Sequence, residues 1–323
     1  MRRILIIGGA GYIGSVLTNQ LIANGFHVRV LDFLWFNKQT PLIHYSNPRY
    51  EFIRGDMTDS SVIEKALDKI DLIVQLAAVI GEPATKKYPE LTVKINWEAT
   101  KKVIDRCREK KINFLFYSTC SNYGISEGMA TESSELRPLS PYAETKVQIE
   151  KYLIDEVKEI DWFIGRISTA YGLSPRMRFD LTVNEFALKG FRNKYIDIFK
   201  PESYRPYLHI FDMSHITMEV IQNFDNFKND VFNIGFEGEN YQKIQIANAV
   251  KKLIPETKIE ILMSGGDNRD YQVDFSKINK KLKYRNYFNV EKSVEEIVLA
   301  LRQGLFPNVE DPVYSNTTPD ITV

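Results

Sequence analysis

The stretch Arg3-Ile4-Leu5-Ile6-Ile7-Gly8-Gly9-Ala10-Gly11-Tyr12-Ile13-Gly14 decides how the rest of the chain is read. Its apolar run is bounded by glycine and too short for a buried helix, so it predicts a strand covered on both faces. A helical pattern through Leu17, Leu21 and Ile22 follows, then a second strand from Val28 to Leu31 that ends at Asp32. In such a strand, turn, helix, strand unit each glycine has its own task. Gly8 permits the tight turn, Gly11 lets backbone approach a pyrophosphate, and Gly14 lets the helix lie close on the sheet. The amides at the helix start, around Tyr12 and Ile13, then face an anion. Asp32, about twenty residues past the glycines, is placed to accept from the hydroxyls of an adenosine ribose. A carboxylate there repels a 2′-phosphate, and no arginine stands between it and Asn37, so NAD is favoured over NADP.

A chain of 323 residues exceeds the usual size of one core. The expected organisation is a dinucleotide-binding domain over residues 1–172 and a smaller lobe over 173–323 that mainly binds substrate and returns some strands to the main sheet. Lys plus Arg equals Asp plus Glu, at 42 each, which leaves no basic field to attract nucleic acid or an anionic membrane. The N-terminal apolar run breaks at Gly8, and no other stretch approaches membrane-spanning length. The cysteines Cys107 and Cys120 make no disulfide framework, and the four histidines form no cluster with metal-ligand spacing. A reducing cytoplasm is the expected location.

Further strand and helix patterns alternate along the first half. Tyr50 to Arg54 leads to Asp56 and Met57, which would border the adenine; equally, Asp56 and Thr58 would begin a helix cap. A helix over Ser61 to Ile70 precedes a strand over Asp71 to Leu76, whose end, Ala77-Ala78-Val79, is small enough to let the pyrophosphate and ribose of a dinucleotide pass. Within the helical pattern Leu91 to Arg108, Asn96 is oddly polar, and its amide either supports the site or is solvated. Phe114 to Tyr117 is the next strand, with Ser118 and Thr119 at its carboxyl rim. This alternation builds an α/β fold of the Rossmann type, a doubly wound parallel sheet that binds ligands at its strand ends, with a smaller C-terminal α/β lobe.

Tyr142 and Lys146 open a helix that runs on through Tyr152 and Val157, and their spacing puts them on one face, a turn apart. An ammonium beside a phenol favours the phenolate and is expected to lower the tyrosine pKa. So tuned, Tyr142 would take a proton from a substrate hydroxyl, with Thr119 bonded to the same oxygen and Lys146 also reaching the nicotinamide ribose.

Taken together, Gly8 to Gly14, Asp32, Asp56-Met57, Leu76-Ala77-Ala78, Thr119 with Tyr123-Gly124, Tyr142 with Lys146, Arg166 with Tyr171-Gly172, and Arg205 to Ile210 resemble the extended short-chain dehydrogenases/reductases of the nucleotide-sugar epimerase and dehydratase type. A weaker match over Asp274 to Leu282 extends the resemblance over nearly the whole chain. The resemblance implies that Arg205 pairs with the diphosphate of a sugar nucleotide, which a bidentate guanidinium suits, and that Arg269 is a second such arginine. It also implies a cleft lined by Leu173 to Asn184, including Arg176 and Asn184, and a homodimer through the helices holding Lys101 to Arg108 and Lys146 to Val157. Two departures stand out. Cys120-Ser121 replaces the Asp-Glu of the 4,6-dehydratases, and Thr169 replaces a common asparagine.

The implied reaction is NAD-dependent oxidation of the C4 hydroxyl of a nucleotide-linked sugar to the 4-keto form, in the making of surface-polysaccharide sugars. The wording around Arg166 to Asn184 and Arg269 to Lys277 resembles members handling bacterial surface-polysaccharide sugars, including GDP-linked heptoses oxidised at C4. Epimerisation at C4 through a transient ketone is the alternative, and a non-catalytic NAD sensor a distant one.

Overall fold

The computed structural model describes residues 2–36, 38–265 and 268–316, apart from the Glu82 side chain. Asn37, and Gly266 and Asp267 within the Gly265 to Tyr271 segment, lie outside the described residues.

Fourteen strands are described: β1 (Arg3–Ile7), β2 (His27–Asp32), β3 (Tyr50–Arg54), β4 (Leu72–Gln75), β5 (Asn113–Thr119), β6 (Ile125–Ala130), β7 (Trp162–Ile167), β8 (Thr169–Tyr171), β9 (Tyr195–Phe199), β10 (Tyr204–His209), β11 (Asp230–Ile234), β12 (Asn240–Gln242), β13 (Lys258–Leu262) and β14 (Asp270–Val273). Seven of them form one parallel sheet in the order β11-β7-β5-β4-β1-β2-β3. Strand order reverses between β1 and β4, which opens a crevice at the carboxyl ends there. The period of two in β1 shows why both faces must be covered: Ile4 and Ile6 enter one buried cluster, while Leu5 and Ile7 enter the other. In β5, Leu115 and Tyr117 face the first cluster, Phe114 and Phe116 the second.

A third cluster belongs to the smaller lobe and joins the helices Thr182–Asn193, Lys243–Leu253 and Val290–Arg302 to β9 and β10. It includes Tyr12, so the lobe packs directly on the start of the first helix. The strand over Asp71 to Leu76 is shorter than the pattern suggests, Leu72–Gln75, and the segment 91–108 divides into a one-turn helix, a π-helical stretch over Val93–Ala99, and a helix over Thr100–Lys110. No helix among the described residues is long and apolar enough to cross a membrane.

Candidate active site

A cleft of about 350 Å³ runs along the strand ends from Asp32, over the glycine turn, to Tyr142 and Arg269. Gly8 has φ +90°, and a Cβ there would meet the Ala77 amide nitrogen at 2.6 Å; a Cβ at Gly14 would meet the Gly8 carbonyl at 2.2 Å. These two glycines are therefore fixed by close backbone packing. Gly11 is different, since a Cβ there would find only the Gly8 carbonyl at 3.3 Å, which leaves the backbone open toward the cleft. No side chain caps the helix Tyr12–Ala23 and no acidic residue occupies its first turn, so its leading amides remain available to an anion. The Asp32 carboxylate accepts from the Ala10 and Leu34 amides at 3.0 and 2.8 Å. Burial raises its pKa against the pull of those amides and of Arg176. Open amides, a bare glycine and an acidic acceptor fit the phosphates and ribose of a dinucleotide.

At the other end, Thr119 and Tyr142 both line the cleft, and the Thr119 hydroxyl is one of the groups that favour the Tyr142 phenolate. Ser140 caps the helix Pro141–Glu156 by accepting from the Ala143 amide, and Pro141 takes its first position, which fixes where Tyr142 emerges. Lys146 is buried, and its ammonium donates to the Tyr117 carbonyl at 2.7 Å, standing 5.8 Å from the centre of the Tyr142 ring. The expected lowering of the phenol by Lys146 is not what the structure gives. Burial pushes Tyr142 up to about 12, and the cations that oppose this are Arg178 and Arg269. Lys146 itself is brought down to about 7 by burial, against the attraction of Glu150.

Asp56, Met57, Leu76, Ala77 and Ala78 all line the cleft. Asp56 accepts from the Thr58 amide at 2.8 Å, but the cap of the next helix is Asp59. Three other candidates, Ser118, Asn184 and Arg176, are placed differently from the sequence expectation, whereas Asn96 takes the supporting role open to its amide. The amide of Asn96 is spent on both backbone groups of Val79, at 2.8 and 2.9 Å, so it holds the loop after β4 from behind. The Ser118 hydroxyl bonds Glu150 and Asn122 instead of facing the cleft. Asn184 bonds the Gly172 amide, the Arg178 carbonyl and the Tyr12 hydroxyl, which ties the lobe to the glycine turn. Arg176 does line the cleft, but at its Asp32 end: the guanidinium stacks 4.1 Å from the centre of the Phe36 ring and interacts with Asp32. It reaches the cofactor half from the far side of the cleft, which no reading of the residues next to Asp32 could reveal.

Arg205 does not line the cleft; it is buried behind it, 5.0 Å from the centre of the Tyr271 ring. Arg269 does line it, and donates to the Ser121 hydroxyl at 2.8 Å, beside Tyr271. Ser121, Tyr271, Phe36 and Asn316 also line the cleft, with no motif in the sequence to mark them. Their only signal is position, Ser121 two residues after Thr119 and Tyr271 two after Arg269. Arg178 reaches the cleft while paired to Asp180 at 2.8 and 2.9 Å.

The model of the NAD dependent epimerase/dehydratase family matches residues 4–235. The chain belongs to that family. It is therefore an enzyme, and NAD is its cofactor. Among curated relatives, the family member UDP-glucose 4-epimerase of Lactobacillus helveticus is 28% identical over 83% of this chain and 85% of its own length. UDP-glucuronic acid decarboxylase 1 of Arabidopsis thaliana is 27% identical over 94% of this chain and 70% of its own. The crystal structure of UDP-glucuronic acid 4-epimerase from Bacillus cereus, in complex with UDP-glucuronic acid and NAD, superposes with a TM-score of 0.83 at 27% identity, covering 93% of this chain and 99% of that one. Nucleotide sugars are the substrates of this enzyme class, and the Rossmann-type fold is shared with that crystal structure.

Proposed function

We propose that the enzyme oxidises the C4 hydroxyl of a uridine diphosphate sugar and returns the hydride to the resulting ketone, so that the net reaction is 4-epimerisation. The observation that carries this reading is that Thr119 and Tyr142 line the cleft together, with Lys146 one helical turn from Tyr142 and no carboxylate beside them among the described residues. Tyr142 takes the C4 proton, Thr119 holds the same oxygen, and Lys146 is pinned so that its ammonium stays in reach of a ribose. Bound in the cleft, oxidised NAD supplies a hydride acceptor whose positive ring also favours the phenolate.

Elimination needs an acid and a base next to the sugar. Here Cys120 turns its thiol to the Arg166 carbonyl and Ser121 is bonded to Arg269, so neither supplies one. Return of the hydride is the step these residues can serve, which favours epimerisation over plain C4 oxidation. The relatives described above are enzymes of UDP sugars, which favours uridine over the guanosine-linked heptose expected from the sequence. In this reading residues 1–172 hold most of the dinucleotide and 173–323 mainly the sugar nucleotide, with Arg176 crossing that boundary. A homodimer through the helices Thr100–Lys110 and Pro141–Glu156, and a place in surface-polysaccharide synthesis, belong to the same proposal.

The test is incubation with NAD and, separately, UDP-glucose and UDP-glucuronic acid, with products resolved by chromatography and absorbance followed for NADH. A C4 epimer without net NADH supports the reading. Stoichiometric NADH with a released 4-keto sugar would replace it by the dehydrogenase, and no change with any sugar nucleotide would overturn it.

A further inference from the structure

Two buried polar atoms in side chains that line the cleft have no hydrogen-bond partner among the described residues: Arg176 Nε and Asn316 Oδ1. Both belong to the Asp32 end. Arg176 stacks on Phe36 and donates through Nη2 to the Ser315 carbonyl at 3.3 Å. Asn316 is brought there by a segment that is firmly anchored. The Tyr314 ring packs edge-on against Phe179 and Phe306, with centres 5.6 and 5.7 Å away. The Tyr314 carbonyl accepts from the Phe179 amide at 2.9 Å, and the Asn316 amide donates to Asp180 Oδ2 at 3.0 Å.

Leaving a carboxamide oxygen buried without a partner is costly, and a mere surface strap would have turned it to water. Asn316 is 8% exposed and Arg176 is 2% exposed, so solvent does not serve either side chain. One open acceptor and one open donor, beside an acidic ribose acceptor, describe a site completed by a ligand that offers hydroxyls and oxygens.

We propose that Asn316 is a cofactor-binding residue: it closes the adenosine half of the dinucleotide site, its side-chain oxygen accepting from a group of the adenosine moiety while Arg176 Nε donates to an oxygen of the same half. The last described segment of the chain is thereby part of the cofactor site, although more than 280 residues separate Asn316 from Asp32. This inference rests on the assignment of NAD as cofactor and not on the fate of the sugar.

The experiment titrates full-length, cofactor-free protein with NAD, ADP-ribose and UDP by calorimetry, comparing wild type with Asn316→Leu and Asn316→Ala. Loss of one hydrogen bond should weaken NAD and ADP-ribose by about three- to tenfold in both variants and leave UDP unchanged. The melting temperature of the cofactor-free variants should match wild type, because the side-chain oxygen gives up no partner among the described residues. Tyr314→Ala, which frees the segment, should weaken NAD in the same direction. Wild-type affinity for NAD in Asn316→Leu and Asn316→Ala would overturn the inference. A wild-type protein that binds no NAD would overturn the cofactor assignment beneath it, so the two failures are distinguishable.

Discussion

The Lys146 ammonium is held from the strand side, by the Tyr117 carbonyl at 2.7 Å, and not by the tyrosine one helical turn before it. The ammonium is buried, so folding shifts its pKa from the usual 10.5 down to about 7. Between those two values the unfolded chain binds the extra proton, so the stability this group contributes rises with pH from about 7 to 10.5 and is flat below. Lys146→Met should therefore be more stable than wild type near pH 6, with the gap closing by at most about 1.4 kcal/mol per unit as pH rises. Urea unfolding at about pH 6, 8 and 9.5 reads this directly, and a gap that does not change with pH would refute the burial argument.

Tyr142→Phe should retain NAD affinity and lose turnover by at least about a hundredfold, because the acceptor of the C4 proton is gone while the cleft keeps its shape. Thr119→Val, which removes only the hydroxyl near the phenol, should lower kcat by about tenfold and leave the NAD Kd unchanged. Since Tyr142 in the cofactor-free enzyme sits up near 12, deprotonation is favoured by raising pH, and the wild-type rate should climb with pH through the neutral range. Steady-state rates for the two variants, with NAD binding measured in parallel, check all three; a pH-independent wild-type rate would argue against the phenol as the limiting base.

How far the sequence carries depends on whether a residue's role is local. The glycine turn, Asp32, Thr119, Tyr142 and Lys146 are legible because each acts at a strand end or on one helical turn, where spacing alone fixes position. Ser118 and Asn184 mislead for the opposite reason. Both are polar and close in sequence to site residues, yet their side chains satisfy buried backbone or carboxylate groups behind the cleft. Arg176 and Asn316 reach the cofactor half only because the lobe folds back over the sheet, and no periodicity along the chain encodes that return.

Arg269 and Arg205 should separate under mutation. Arg269 lines the cleft beside Ser121, so Arg269→Ala should raise KM for the sugar nucleotide by about ten- to a hundredfold, with NAD binding preserved. Arg205 is buried against Tyr271, and Arg205→Ala should act as much on stability as on affinity, seen as a lower melting temperature. Equal effects of both on KM, with no stability loss in Arg205→Ala, would place the diphosphate grip on Arg205 after all.

The buried ion pair of Glu150 and Arg166 governs the strand end that carries Thr119. Arg166 Nη2 donates to Glu150 at 2.7 Å, its Nη1 to the Tyr123 hydroxyl at 2.9 Å and to the Glu132 carbonyl at 3.0 Å, while Glu150 also accepts from Asn122 at 2.8 Å and from Ser118. Removing one charge from a pair this enclosed leaves the other without compensation, so Glu150→Gln should destabilise the protein by about 3 kcal/mol. Because Ser118 and Asn122 flank Thr119, the same change should also lower kcat, although Glu150 touches no reacting atom. Replacing both partners with apolar residues, Glu150→Leu with Arg166→Met, should recover part of the stability without recovering kcat, since the bonds that set the strand end are still missing. Denaturant unfolding and turnover on the single and double variants make this separation measurable. Full recovery of kcat in the double variant would show that the pair serves stability alone.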